Sequence, residues 1–508
     1  MMKNLFLGID IGSSSVKTTI FDAAMGKSLG KATFPSSEQA IESLHTGWAE
    51  QDPQIWWDHF KAGYKQIVKR QNIDTSLISG IGITYQMHGL VLVDKEQRLL
   101  KKSIIWCDSR AVDIGEKAFQ NMGKEHTLRN LLNSPGNFTA SKLRWVQQNQ
   151  PAIYEKIHKF MLPGDYIAMK LSGEITTTRT GLSEGTFWDF PNRNISSHVM
   201  NEFEFDDSLF PNTVPAIGEQ VQIQPSIAQE LELRKSVKIF YRSGDQPNNA
   251  FSLNVLHPGE IAATAGTSGV IYAVTDQDVY DKKSRINTFL HVNDTKEAKR
   301  NGVLICVNGT GILYHWLKKL LNLGAQQISY STMNDMAKKA PAGSEDLIFL
   351  PFGNGAERIL ENKILNANVL HLDFNRHTPG HLIRSGMEGI VFALNLGFDI
   401  LKTNNIPYNE IKAGYANLFL SKTFREIFAN VTRSTIKIYN TDGADGAARG
   451  AALGAGFYHS DQDAFESLEL MDITVPQNEL IDQYADYYGN WKHQLETITH
   501  KNADLFQQ

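Results

Sequence analysis

Leu7-Gly8-Ile9-Asp10-Ile11-Gly12-Ser13-Ser14-Ser15-Val16-Lys17-Thr18-Thr19-Ile20-Phe21-Asp22 sets a knot of glycine and serine between two apolar, β-branched flanks. That pattern predicts strand, tight turn, strand. Gly12 frees the turn to adopt backbone angles closed to other residues. The three hydroxyls beside exposed N–H groups make a cradle for phosphate oxygens. Asp10, just before the turn, stands where a metal-bound phosphate needs a carboxylate. A plain hairpin uses the same residue types, so a single copy decides nothing.

A second copy changes the reading. Ala262-Ala263-Thr264-Ala265-Gly266-Thr267-Ser268-Gly269-Val270 and onward to Asp276 aligns without a gap, setting Gly266 on Gly12, Thr267 on Ser13, Ser268 on Ser14 and Asp276 on Asp22. Gly266 follows Gly12 by 254 positions, half of the 508-residue chain. The repeat predicts two similar α/β domains, 1–255 and 256–508, each offering one phosphate-facing hairpin to a shared cleft that holds a nucleotide.

The bulk properties agree. A chain of 508 residues is too long for one core. With 42% hydrophobic and 21% charged residues it has the composition of an ordinary soluble globular protein. The net charge of −5 and the scattered basic residues exclude a nucleic-acid or anionic-membrane footprint, so the expected partner is small. Cys107 and Cys306 are the only cysteines and lack metal-ligand spacing, which fits a reducing cytoplasm. The start, Met1 to Ile11, is too short for a signal peptide, and no stretch approaches the ~20 apolar residues of a membrane span.

In the first half a helix is expected from Pro53, with Trp56, Trp57 and Phe60 inward. Ile78 to Tyr85 reads as a strand running into Gln86-Met87-His88-Gly89, a polar tip before a further strand, Leu90 to Val93. The run Ser103 to Trp106 ends in Cys107-Asp108-Ser109-Arg110. There Trp106 is placed to stack on a sugar face, and Asp108 either accepts sugar hydroxyl hydrogens or caps the next helix. Thr176 to Phe190 is expected to cover part of the cleft. Val237 to Tyr241 reads as a strand leading to Gly244-Asp245-Gln246. A carboxylate between the lobes at Asp245 is a candidate general base.

The second half carries a glycine-containing turn opening a helix at Asn308 to Leu317, with Gly311 open to nucleotide contact and Trp316 inward. Gly353 to Arg358 is expected to be a loop holding a structural ion pair. Ile383, Met387, Ile390, Val391 and Leu394 repeat at helical spacing and predict a core face. Ile411 to Tyr415 is a strand entering a turn at Gly414, a unit that can lay backbone against adenine or ribose. Gly446, Gly450 and Gly454 fall four apart on one helix face, which predicts the close approach of another backbone.

The order of these segments resembles the FGGY family of carbohydrate kinases, within the actin-like ATPase superfold. The likeness runs through Asp10 to Ser14, Gly47 to Trp57, Gln86 to Gly89, Trp106 to Arg110, Leu162 to Tyr166, Gly244 to Gln246, Gly266 to Gly269, Gly355 to Arg358, Arg384 to Glu388 and the Gly-Ala-rich end near Gly450. It implies two actin-like, ribonuclease H-like domains with an ATP- and sugar-binding cleft between them, and a homodimer is left open. By the same resemblance Asp245 is the catalytic base and Asp10 helps hold Mg²⁺. Gly12, Ser13, Ser14, Gly266, Thr267 and Ser268 lie near the ATP phosphates, and Gly311, Gly414 and Asn417 lie toward the nucleoside. Gln86, Met87, His88, Gly89, Trp106, Asp108 and Gln246 form the sugar side. Met87-His88-Gly89 is similar to the loop of the branch that phosphorylates the terminal hydroxyl of D-xylulose. The chain departs from the family at Ala413-Gly414-Tyr415, where the family has a glycine triplet. It also departs at Gln246, often Asn, and in the loop after Arg358, which lacks the usual Asp-Pro. L-ribulose, another ketose, a polyol or glycerol stay as competing acceptors, and a sugar sensor without turnover as the competing role. No Gly-x-x-x-x-Gly-Lys-Ser/Thr motif occurs, in keeping with phosphates held by two hairpins.

Overall fold

β1 (Leu5–Ile11) and β2 (Val16–Asp22) pair antiparallel, from Leu5 opposite Asp22 to Ile11 opposite Val16. The computed structural model describes residues 4–322, 327–408 and 410–505. β3 (Lys27–Phe34) extends the hairpin on the β2 side, while β4 (Ile78–Tyr85) joins β1 in parallel and β5 (Lys238–Gly244) joins β4 in parallel. The second sheet repeats this plan. β6 (Glu260–Ala265), β7 (Gly269–Thr275) and β8 (Asn301–Val307) run antiparallel, and β9 (Glu410–Gly414) and β10 (Ile436–Tyr439) add in parallel beyond β6. The central strand order and directions are therefore the same in the two sheets, the topology of two actin-like halves.

The second hairpin begins and ends close to where the repeat places it, but its turn is one residue tighter. Ile11 opposes Val16, whereas Ala265 opposes Gly269. Neither hairpin glycine has a positive φ, so the expected left-handed turn at Gly12 is corrected. Gly12 is instead a matter of space: its N–H donates to the Ser15 carbonyl at 3.0 Å, and a Cβ would stand 3.1 Å from that oxygen.

Helices cover the sheets. α1 (Pro53–Gln71) starts as expected, with the Asp52 side chain accepting from the Gln54 N–H and with Trp56, Trp57 and Phe60 buried against the first sheet. α2 (Asp245–Ser252) leaves the end of β5 directly. α3 (Gly311–Leu321) follows β8, but Trp316 is about half exposed, which corrects its inward assignment; Leu313, Tyr314 and Leu317 fill the core instead. α4 (Pro379–Thr403) buries Ile383, Met387, Ile390, Val391 and Leu394, and its Glu388 accepts from the Gly343 N–H and the Ser344 hydroxyl.

α5 (Gly443–Gly454), from the second half of the sequence, lies on the first sheet. Its approach is so close that a Cβ on Gly8 or Gly82 would fall 2.0 or 1.9 Å from the carbonyl oxygens of Ala444 and Ala447. Gly450 of α5 faces the Tyr241 ring on β5. Glycine on both partners lets helix and sheet pack backbone to backbone, which brings the N-terminus of α5 to the end of β1.

Candidate active site

Both hairpins open onto one cavity of about 670 Å³, lined from the first half by Asp10, Ser13, Ser14 and Asp245 and from the second by Thr264, Ser268, Arg358 and Gly443. Parallel strands of such sheets deliver their loops to one edge, and β1, β4 and β5 do so here with Asp10, Gln86 and Asp245.

Asp10 sits near the end of β1. Burial, with a smaller push from Asp442 and against the pull of Lys17, raises its carboxyl to about 6. Lys17 stands 4.0 Å away, and among the described residues the carboxylate makes no hydrogen bond. Asp245 opens α2, and burial and then the neighbouring Asp10 push it up to about 7. Asn248, one turn along, donates to the Gly443 carbonyl at 2.9 Å and so fixes α2 to the start of α5. There Asp442 caps the helix by accepting from the Asp445 N–H, and Lys31 of β3 bridges Asp442 and Asp445 at 2.7 and 2.5 Å.

The polar tip after β4 is tied to the first hairpin. The Gln86 N–H donates to the Ile11 carbonyl at 2.7 Å and its side chain to Gln51 at 3.1 Å, while Gln51 donates to the Ser13 carbonyl at 2.6 Å. His88 adopts φ 61°, and its Nδ1 lies 2.9 Å from the Glu184 carbonyl. A carbonyl only accepts, so Nδ1 carries the proton and Nε2 is left as the acceptor of a neutral ring. Burial, then the nearby Lys142, holds the imidazole down to about 3. Phe138 and Phe289 wall the ring at centroid distances of 4.7 and 5.4 Å.

Gly12, Ser13, Ser14, Gln86, Met87, His88, Trp106, Asp245, Gln246 and Ser268 all line the cavity with Asp10. Others do not. Gly89 packs against Pro163, where a Cβ would fall 2.6 Å from the ring, and is a packing position rather than a wall of the cavity. Asp108 is fully buried and consumed locally: it accepts from the Ala49 N–H at 2.5 Å and pairs with Arg110, whose guanidinium lies 3.7 Å from the centre of the Trp48 ring. No oxygen of it is free for a sugar, and the next helix is capped at Ala111, so both sequence readings of Asp108 are corrected. Gly266 and Thr267, in the turn of the second hairpin, and Gly311, Gly414 and Asn417 are not among the residues that line the cavity. The Gly311 N–H donates to the Gly266 carbonyl at 2.8 Å, the Ile312 N–H to the Thr267 carbonyl at 3.1 Å, and the Asn417 amide nitrogen sits where it would lie 3.4 Å from a Cβ on Gly266.

Two local expectations are overturned nearby. Thr176–Phe190 is buried rather than a cover, with Glu184 lying beneath His88. Glu357 and Arg358 form no ion pair. Glu357 accepts from the N–H groups of Asn308 and Gly309 at 3.0 and 3.1 Å, while Arg358 turns into the cavity.

Asn137, Phe138 and Asn287 line the cavity without having been singled out in the sequence, as does Arg358, expected only in a structural ion pair, and Lys142 supports it from behind. Lys142 is fully buried, donating to the carbonyls of His88 at 2.8 Å and Ile105 at 3.0 Å, and so fastens the two loops that carry His88 and Trp106. A lysine at an otherwise apolar helix position is a faint signal; nothing local marks the others.

Two like sheets closing on a shared polar cavity place the chain in the class of two-lobed, actin-like enzymes that act with ATP. Comparison with known proteins narrows this. The N-terminal domain of the FGGY family of carbohydrate kinases matches residues 5–252, and the C-terminal domain of the same family matches 261–458. The chain belongs to the FGGY family of carbohydrate kinases and is an ATP-dependent sugar kinase. A xylulose kinase of Staphylococcus epidermidis is 27% identical, with 99% of each chain covered. Two solved structures from Lactobacillus acidophilus share the fold over 98% of each chain at 20% identity: a ligand-bound xylulose kinase with a TM-score of 0.88, and a gluconate kinase with 0.87. The fold is therefore common to proteins named for different sugars. Among the described residues no helix is long and apolar enough to cross a membrane.

Proposed function

We propose that this chain transfers the γ-phosphate of ATP to the terminal hydroxyl of a ketopentose, D-xylulose, giving D-xylulose 5-phosphate. The observation that carries the reading is Asp245, a carboxylate at a helix start, set in the cavity between two hydroxyl-rich hairpins with its proton affinity raised to about 7. That value suits a group that must accept a hydroxyl proton near neutrality. The choice of sugar rests on the Met87-His88-Gly89 loop and on the named activity of the curated relatives. Residues 1–255 act as the sugar-binding half and 256–508 as the ATP-binding half. Two free thiols suit a cytoplasmic enzyme.

In this reading Asp245 orients the acceptor hydroxyl and takes its proton as the phosphoryl group arrives. Ser13, Ser14 and Ser268 donate to phosphate oxygens, and the N-terminus of α5 faces the same charge. Gly266 and Thr267 meet the phosphates at the second turn, the nucleoside lies along Gly311, Gly414 and Asn417, and Gln86, Met87, His88, Trp106 and Gln246 surround the sugar. The site fits Mg²⁺ of the kind held through phosphates. Asp10 is one carboxylate free of hydrogen bonds, and among the described residues no cluster of three His, Cys, Asp or Glu forms a cage. Asp10 would hold the ion, whose charge neutralises the phosphates when it is bound.

The test is ATP consumption across D-xylulose, L-ribulose, D-ribulose, gluconate, xylitol and glycerol, with the product identified by phosphorus NMR. D-xylulose is expected to give the highest kcat/KM, with the ester at its terminal carbon. A clear preference for another acceptor contradicts the substrate, and binding without any phosphorylated product contradicts the activity.

A further inference from the structure

Arg358 reaches the sugar end of the cavity from the opposite half of the chain. Its Nη1 is anchored, donating to the Asn287 side-chain oxygen at 3.0 Å and to the Ser284 carbonyl at 3.4 Å. Among the described residues no carboxylate lies within ion-pair distance, so the guanidinium enters the cavity as an uncompensated charge. Nε and Nη2 make no bond to protein and are not buried, and Arg358 lines the cavity. A guanidinium held at one nitrogen and with two donor nitrogens unpaired is set to receive an acceptor from a ligand that visits the site.

What stands beside it narrows that acceptor. The guanidinium carbon lies 5.9 Å from the centre of the Phe138 ring, and Phe138 in turn packs edge-on against His88 at 4.7 Å. His88 presents Nε2, an acceptor, and Arg358 presents donors only. An α-hydroxyketone carries the complement, a carbonyl oxygen that accepts next to a hydroxyl that donates. A polyol of the same length offers a hydroxyl where the ketone oxygen would be, a weaker acceptor for a charged donor.

We infer that Arg358 is a specificity-determining residue of the acceptor site, delivered by the ATP-binding half to the keto oxygen of the sugar, with His88 Nε2 accepting from the adjacent hydroxyl. The inference rests on the ketose reading above and adds to it the group that distinguishes ketose from polyol. The loop that carries Arg358 is also fastened to the nucleotide side, since the neighbouring Glu357 accepts from the N–H groups of Asn308 and Gly309, just before α3 meets the second hairpin. Sugar recognition thus draws on a loop whose position depends on the second half.

The experiment compares D-xylulose with xylitol for the wild-type enzyme and for Arg358→Gln and Arg358→Lys, measuring KM for each acceptor, KM for ATP and kcat. Loss of a charged hydrogen bond corresponds to a decrease of about 10- to 100-fold. Arg358→Gln is expected to lose that much kcat/KM on D-xylulose, mainly through KM, a larger loss than on xylitol, while KM for ATP holds; Arg358→Lys recovers part of the loss. Melting temperature, measured for all three proteins, serves as the control for folding. A wild type that prefers D-xylulose, with an Arg358→Gln enzyme that keeps the preference, overturns this inference alone. So does a rise in KM for ATP without one for the sugar, which would place the guanidinium on phosphate. A wild type with no preference for ketose over polyol overturns this inference and the ketose reading together.

Discussion

The Asp245→Asn protein is expected to bind ATP with near wild-type affinity while turnover falls about 10²- to 10⁴-fold, the contribution of a positioned general base. Asparagine keeps the shape of the side chain and removes the acceptor for the hydroxyl proton. Wild-type kcat/KM for the sugar should rise with pH through about 7, because the base works only when ionised, and the variant should lose that limb. Stability should respond in the opposite sense. Asp245 holds its proton up to about 7 when folded but only to the ordinary carboxyl value of 3.8 when unfolded. Between those values the folded state binds a proton that the unfolded state lacks, so this contribution is complete below about 4 and is lost as pH rises through 7. Ligand-free Asp245→Asn should therefore gain melting temperature over wild type at pH 8 and lose the advantage at pH 4. Unchanged turnover, or a stability difference that does not vary with pH, contradicts the placement of this carboxyl.

Gly82→Ala is expected to be strongly destabilising. The added Cβ would stand 1.9 Å from the Ala447 carbonyl oxygen, and neither strand β4 nor helix α5 has a flexible side chain to give way. Overpacking of this kind destabilises by about 3 kcal/mol, or roughly 6–12 °C in melting temperature. Activity should fall further than stability alone accounts for, because a displaced α5 carries Asp442 and Gly443 away from Asp10. Gly489→Ala gives the contrast. It lies in the helix Asn478–Leu505 with nothing within 4 Å of an added Cβ, and should be neutral or stabilising by up to about 1 kcal/mol. Similar melting temperatures for the two variants would show that α5 does not press on the first sheet.

The paired hairpins were legible because a glycine and hydroxyls between β-branched flanks leave few alternatives, and the copy at Gly266 removed the remaining ambiguity. Asp245, His88 and Asp10 could be picked out for a shared reason: each lies at or just past the end of a strand, which is where such sheets keep their sites. Gly446, Gly450 and Gly454 announced a close approach without saying to what; Gly450 and Gly454 meet β5 of the first sheet and Gly446 meets α2, all some 200 positions back along the chain. Asp108 misled because its partner on the first oxygen count, the Ala49 N–H, lies 59 positions away. Arg358 was read as half of an ion pair and Lys142 was passed over, since a cation in sequence carries no sign of whether it meets water, a carboxylate or a ring of carbonyls. Trp316 was read inward from its apolar character, yet Leu313 and Leu317 already fill that face of α3.

The most direct measurement of the central claim is a crystal structure of the Asp245→Asn protein with ATP, Mg²⁺ and D-xylulose. The account predicts the triphosphate spanning the cavity between Ser13 and Ser268, the sugar against His88 and Arg358, and the terminal hydroxyl within hydrogen-bond reach of the side chain at position 245. A nucleotide held by one hairpin alone, or a sugar whose terminal carbon points away from that side chain, would contradict it.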